Sequence, residues 1–227
     1  MDEKNTVKLK KEEFAIKESI KKTLGKGKVS RVKIEYTPVG EKIIISTNKP
    51  GLVIGRGGEK IGELTMLMKK GFKLENPHIE IEEIMVPEFD AQVMADDIAL
   101  GLERFGPIKF KVIAYRALQR MMGAGALGVE IRLNGKLPGA RAKSWRFAQG
   151  YLKKTGDSAK VVDRAQARAE TKPGTVGVKV SVLSPHAILK DQIKVDEALL
   201  QALKKNSEFV KIDKTPKSTK KTGKTKK

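Results

Sequence analysis

The 227 residues contain no cysteine. Disulfides, thiolate catalysis and Cys-ligated zinc or iron–sulfur centres are therefore excluded, and a reducing compartment fits. Histidine is almost as scarce. His78 and His186 lie far apart in sequence, which argues against a His-based metal site. Aromatic residues make up only 5% of the chain. No apolar run approaches the roughly 20 residues that span a bilayer. The first residues, Met1-Asp2-Glu3-Lys4, are polar and do not resemble a secretory signal. Acidic residues are also in deficit: 27 Asp and Glu face 47 Lys and Arg, for a net charge of +20.

A surplus of that size usually meets a polyanion, and nucleic acid is the commonest. The stretch from Lys211 to Lys227 carries eight Lys and one Asp. The charge that remains makes the rest of the chain basic in its own right. No helical segment pairs a Lys/Arg face with a Trp/Phe/Leu face, so a membrane-surface role is disfavoured. Hydrophobic residues are 39% and glycines number 21, an apolar share that can build one or two small cores.

The periodicity predicts a helix over Lys10 to Leu24, with Phe14, Ile16, Ile20 and Leu24 inward. Val29 to Tyr36 alternates as a half-buried strand with Val32, Ile34 and Tyr36 on one face. Thr37-Pro38-Val39-Gly40 turns the chain into a second strand ending at Thr47. A short helical segment, a glycine loop and a helix to about Lys70 follow, with Ile61, Leu64, Leu67 and Met68 inward. A third strand covers Ile79 to Val86. Beyond Pro87 come two helices, Ala91 to Arg104 and Ile108 to Met122, separated at Phe105-Gly106-Pro107. Four strands follow: Leu127 to Leu133, Ala140 to about Tyr151, about Ala159 to Glu170, and Val176 to Leu183. Arg164 to Ala169 is Ala-rich and also reads as helical. Ile188 to Leu203 reads as a last helix, and the Lys/Thr/Ser composition after Phe209 as disordered in isolation. The fold class is therefore α+β. The expected divisions are 1–87, 88–185 and a tail over 186–227.

Gly55-Arg56-Gly57-Gly58 lies between a short apolar segment and a longer helix. Glycines let a ligand's backbone approach with no Cβ in the way. The N–H groups of the following helix start favour an anion, and Arg56 and Lys60 add charge. These features make a seat for a sugar–phosphate backbone, with Ile54 and Ile61 at the edge of a groove for bases. A tight helix–helix turn would use glycine too, but the flanking strands and helix favour the seat. Gly123-Ala124-Gly125-Ala126-Leu127-Gly128 has the letters of a dinucleotide fingerprint. It follows a helix and precedes a strand, the reverse of what that fingerprint requires, so it reads as a small-residue helix exit.

Two further basic sets stand out. Arg141, Lys143, Arg146, Lys153 and Lys154 interleave with Trp145, Phe147 and Tyr151. The rings' spacing favours the inward face of a strand, which leaves the cations outward to meet phosphates. Lys109, Lys111, Arg116 and Arg120 belong to the second helix of this half, and Lys109, Arg116 and Arg120 lie near one face. A solvated face is the alternative; the overall charge favours RNA. Asp96-Asp97 point about 100° apart on a helix and are poorly placed to share one metal ion.

The order helix, strand, strand, short helix, GxxG, helix, strand resembles a type II KH domain. The chain to about Pro185 resembles the small-ribosomal-subunit protein three family in its archaeal-like form. The resemblance is carried by Ser30 to Ile34, Pro50 to Gly58, Glu88 to Ala95, Ala114 to Leu118, Gly128 to Ile131, Gly139 to Lys143 and Lys172 to Val180 taken together. It implies a KH domain followed by an α+β domain in the head of the small subunit, with ribosomal RNA and neighbouring ribosomal proteins as partners. It also implies a place lining the mRNA entrance channel, where basic residues of the second C-terminal-domain helix are linked to unwinding. Lys111 and Arg116 match such positions, while Val112 and Tyr115 replace cations of bacterial members. Lys211 to Lys227 is compatible with the basic tails of some members.

The expected protein is a non-enzymatic, ribosome-bound, cytoplasmic RNA binder with no cofactor, metal, membrane or small-molecule substrate. A free KH regulator of mRNA is the alternative from another class, and a nucleic-acid-processing enzyme is a third. The tail lysines are exposed by composition and lack the burial that would activate a Schiff-base amine.

Overall fold

The structure, a computed structural model, describes residues 3–38, 40–72, 74 and 76–189. The predicted last helix from Lys190 onward and the Lys-rich tail lie outside the described residues. Residues up to Ile188 belong to one compact unit.

Its first sheet is built from β1 (Arg31–Thr37), β2 (Gly40–Thr47) and β3 (His78–Glu83), in that order. β1 and β2 form an antiparallel hairpin with Arg31 opposite Ser46, and β3 lies parallel to β2 with Ile43 opposite Ile79. Between β2 and β3 the chain makes α2 (Pro50–Ile54) and α3 (Glu59–Phe72). A parallel return needs such a crossover. Together with α1 (Glu3–Leu24) these elements bury Ile16, Ile20, Leu24, Val32, Ile43, Ile45, Val53, Leu64 and Met68 in one cluster.

The second sheet runs β5-β4-β7-β6 and is antiparallel throughout. Its strands are β4 (Gly128–Gly135), β5 (Lys143–Gly150), β6 (Asp163–Thr171) and β7 (Gly174–Leu183). α4 (Ala91–Phe105) packs on β6 and β7, and α5 (Phe110–Gly123) on β4 and β5. Val129, Ile131 and Leu133 of β4 and Val176, Val178, Val180 and Val182 of β7 face these helices and are buried. Alternation puts Glu130, Arg132, Lys179 and Ser181 on the other face.

Several expectations need correction. α1 starts at Glu3 rather than Lys10. Its opening turns lack a buried stripe, and the Thr6 hydroxyl donates there to the Glu3 carbonyl oxygen at 2.8 Å. Phe14 is 66% exposed, because the buried face is set by Ile16, Ile20 and Leu24. Tyr36 and Leu67 are exposed too, beyond the edge of that core. β3 ends at Glu83, where its partner β2 runs out at Thr47. β5 begins at Lys143, opposite the last residue of β4. The Ala-rich stretch is strand β6, starting at Asp163 after a 3₁₀ turn. Ala165 and Ala169 are small because α4 presses Ala91, Ala95 and Ala99 against the same layer. The glycines between α5 and β4 form the expected helix exit.

Asp90 governs where α4 begins. Its carboxylate accepts from the Gln92 N–H at 2.8 Å and the Val93 N–H at 3.3 Å, satisfying two orphan donors of the first turn. The same side chain accepts from the Ser30 hydroxyl, just before β1. Nearby, the Asp96 carboxylate accepts from the Gly27 N–H at 3.1 Å, Lys26 pairs with Glu103 at 2.9 Å, and Asp163 accepts from the Ala91 N–H at 3.0 Å. Burial pushes the Asp96 carboxyl above its usual range, against the pull of the Gly27 and Gln92 donors. Asp90→Ala removes the cap and leaves Ser30 without its acceptor. It is expected to cost about 1–2 kcal/mol, read as a lower midpoint in urea denaturation with an unchanged slope. Asp90→Asn should recover most of the loss.

Candidate nucleic-acid interface

The glycine loop is built by its conformation. α2 ends at Ile54, Gly55 has φ 76°, Gly57 φ 60° and Gly58 φ 82°, and α3 begins at Glu59. Side chains rarely adopt such angles. A Cβ at Gly57 or Gly58 would meet no atom within 4 Å, so the space above the loop is open. Arg56 is exposed beside it, as are Leu52 and Ile54 at the rim. Lys60 turns back instead: its stem lies over Gly55, and its ammonium is 3.4 Å from the Leu52 carbonyl oxygen. Glu59 also sits in the first turn of α3.

The α5 set is only partly free. Arg120 donates to Asp97 at 3.0 Å, which uses both the cation and one member of the Asp96-Asp97 pair. Among the described residues no cluster of His, Asp or Glu could hold a metal ion. Lys109 lies in a 3₁₀ turn before α5, with its ammonium 5.9 Å from the Phe105 ring. Lys111 stands over the Trp145 ring at 4.8 Å, a cation–π seat that holds its charge at the surface. Arg116 is exposed, next to an outward stripe of Ile108, Val112 and Tyr115.

The three rings of the second basic set divide. Phe147 is buried and packs on Phe110 and Tyr115, with ring centres 6.4 and 5.0 Å apart. Trp145 is 37% exposed and lies 5.5 Å from Phe110. Tyr151 falls beyond β5, is exposed and makes no ring contact among the described residues, so it does not share the inward face. Arg141 and Lys143 are exposed. Arg146 points to the opposite side of the sheet from α5. Arg146 therefore does not share a surface with the α5 cations.

On that opposite side the structure shows what sequence reasoning missed. Glu130 is only 4% exposed, and three cations converge on its carboxylate: Arg132 at 2.5 Å, Arg146 at 2.9 Å and Lys154 at 2.6 Å. Burial pushes the carboxyl up, but the bonds from Lys154, Arg146 and Arg132 overcome it and hold the group at about 2. The available signal was the alternation of β4, β6 and β7, which puts Arg132, Arg164 and Lys179 at the non-core positions.

The comparisons agree with this architecture. Residues 15–89 match the KH domain family, and residues 98–182 match the family described as Ribosomal protein S3, C-terminal domain. The chain thus combines an RNA-binding fold with a ribosomal-protein fold. It is 42% identical over 198 residues to the small ribosomal subunit protein uS3 of Methanocaldococcus jannaschii, covering 87% of this chain and 94% of that one. The uS3 of Methanosphaera stadtmanae is 37% identical, covering 87% of this chain and 78% of the relative. That of Methanobrevibacter smithii is 36% identical, covering 79% and 72%. The chain belongs to the uS3 family of ribosomal proteins.

The Glu130 cluster makes a pH prediction. A carboxyl depressed in the folded state stabilises it above the unfolded value near 4.5, and that contribution is lost as pH falls toward 2. It is worth up to about 3 kcal/mol. Urea denaturation should show Glu130→Gln weaker than wild type at neutral pH, with the gap closing as pH drops from about 5 to about 2. A gap independent of pH would mean that the lost carboxylate charge is not its source.

Proposed function

We propose that this chain is a structural, non-enzymatic component of the small ribosomal subunit that binds ribosomal RNA. We assign it to the subunit head, cytoplasmic and ribosome-bound, among neighbouring ribosomal proteins. Membership of the uS3 family carries the reading, and the open glycine loop gives it a physical contact. In this reading residues 1–87 are the KH module, 88–185 the ribosomal α+β module and 186–227 an appended basic tail.

The loop of Gly55, Arg56, Gly57 and Gly58 takes a sugar–phosphate backbone. Its main chain lies uncovered at Gly57 and Gly58, and Arg56 supplies the charge, while the Glu59 N–H at the start of α3 is bonded to the Arg56 carbonyl oxygen. Lys60 serves the loop by covering Gly55. Lys109, Lys111, Arg116 and Arg120 with α5, and Arg141 and Lys143 before and in β5, form a second basic region that faces mRNA at the entrance channel. Lys111 and Arg116 are its leading members, because Arg120 is shared with Asp97.

Gly57→Asp combined with Gly58→Asp places two carboxylates over the loop. Asp tolerates positive φ better than most side chains, so the fold should survive. Affinity for an oligoribonucleotide is expected to fall about tenfold or more, about 1.4 kcal/mol. The dependence on salt should flatten by about 0.7 per lost phosphate contact in the logarithmic plot. Unchanged affinity and slope would remove the loop from the account. Sedimentation of cell lysate should place the protein with small subunits; recovery in a light fraction free of them would favour the free KH regulator. A photo-crosslinking base placed in mRNA downstream of the decoding site is expected to link to α5 near Lys111 or Arg116.

A further inference from the structure

The outward face of the second sheet holds an electrostatic conflict that the protein does not resolve by itself. Arg146, Arg132 and Lys179 lie directly opposite one another across β5, β4 and β7. Like charges facing across strands destabilise a sheet. One carboxylate, Glu130, stands in the neighbouring row and gathers Arg132, Arg146 and Lys154. Beyond it lie Arg164, opposite Ser181, and Lys179, neither with an acidic partner among the described residues. Glu130, Arg132, Lys154, Arg164, Lys179 and Ser181 line an open cleft of about 330 Å³.

Five cations and one carboxylate leave this small area strongly positive, and the geometry is fixed. Glu130 is buried in the strand and holds three of the cations over it. Arg132 gives Glu130 its Nε and keeps its Nη groups for another acceptor. Leu152 is the one apolar residue lining the cleft. A protein partner would want an apolar or aromatic centre there. A planar guanidinium fork and point-like ammoniums suit phosphate oxygens.

We propose that this face, opposite α4 and α5, is a second binding site for the phosphodiester backbone of RNA. Glu130 acts in it as a positioning residue that pre-arranges Arg132, Arg146 and Lys154, while Arg164 and Lys179 complete the cradle. The site rests on the ribosomal reading above, yet it is separate from the glycine loop and from α5. It reads no sequence, since phosphate contacts position without specifying.

The test is Arg164→Gln with Lys179→Gln in the full chain, made both in wild type and in the Gly57→Asp, Gly58→Asp background. Both residues are exposed, and thermal unfolding checks that the fold is kept. With an oligouridylate as probe, the slope of log affinity against log salt should flatten by about 1.4 for two lost contacts, in both backgrounds. The same charge removed at Lys8 and Lys11 of α1 should leave the slope unaltered. An unaltered slope in the Arg164/Lys179 variant overturns the site, and so does equal flattening in the Lys8/Lys11 variant. Lost binding of poly-glutamate with RNA binding intact would also overturn it, pointing to an acidic protein surface. Because the loop-disabled background is measured separately, failure of this site and failure of the glycine loop are distinguishable.

Discussion

The junction between the two sheet modules depends on carboxylates of α4 and its flanks, with Asp90 at their centre. Asp90 accepts from the first turn of α4 and from Ser30 before β1. The start of the helix that carries the second core is thereby bonded to the start of the hairpin that carries the first. Asp96, nearly two turns further along α4, accepts from Gly27 on the other side of the seam. Buried or half-buried carboxylates are costly unless their oxygens are satisfied. Here that requirement acts as a constraint on geometry, because the donors come from both modules and are met only when the two are correctly set.

The second sheet answers two demands with its two faces. Toward α4 and α5 it is apolar, and its Ala-rich edge strand lets a helix approach closely. On the other side it is ionic, with a buried glutamate tying three cations that would otherwise repel one another. The arrangement separates folding from binding: hydrophobic burial holds the strands, and surplus charge is left on the side that the helices do not cover.

Much of the fold could be read in the chain because its signals are local. Alternation along β1, β4 and β7, the turn residues at Thr37 to Gly40, and the glycines before α3 each act over a few residues. Phe14 and Tyr151 misled for the same reason: each has the spacing of a core residue but lies beyond the layer it would pack on. The Ala-rich strand β6 was ambiguous because its composition is set by a helix 70 residues earlier in the chain. Likewise, nothing near Asp90 or Glu130 names Ser30, Arg146 or Lys154 as partners. The open glycine turn between α2 and α3 was legible, and the division of the other cations between opposite sides of one sheet was not, since that depends on which strand neighbours which.

Gly27 illustrates how main chain can supply one side of a seam. It adopts φ 77°, donates its N–H to Asp96, and would put a Cβ 2.8 Å from Leu100 Cδ1. The adjacent Lys26 ties the same loop to α4 through its side chain, 2.9 Å from Glu103. At position 27 a side chain is disfavoured by the positive φ itself, whereas the Leu100 methyl it would meet is the far end of a partly exposed side chain that can move aside.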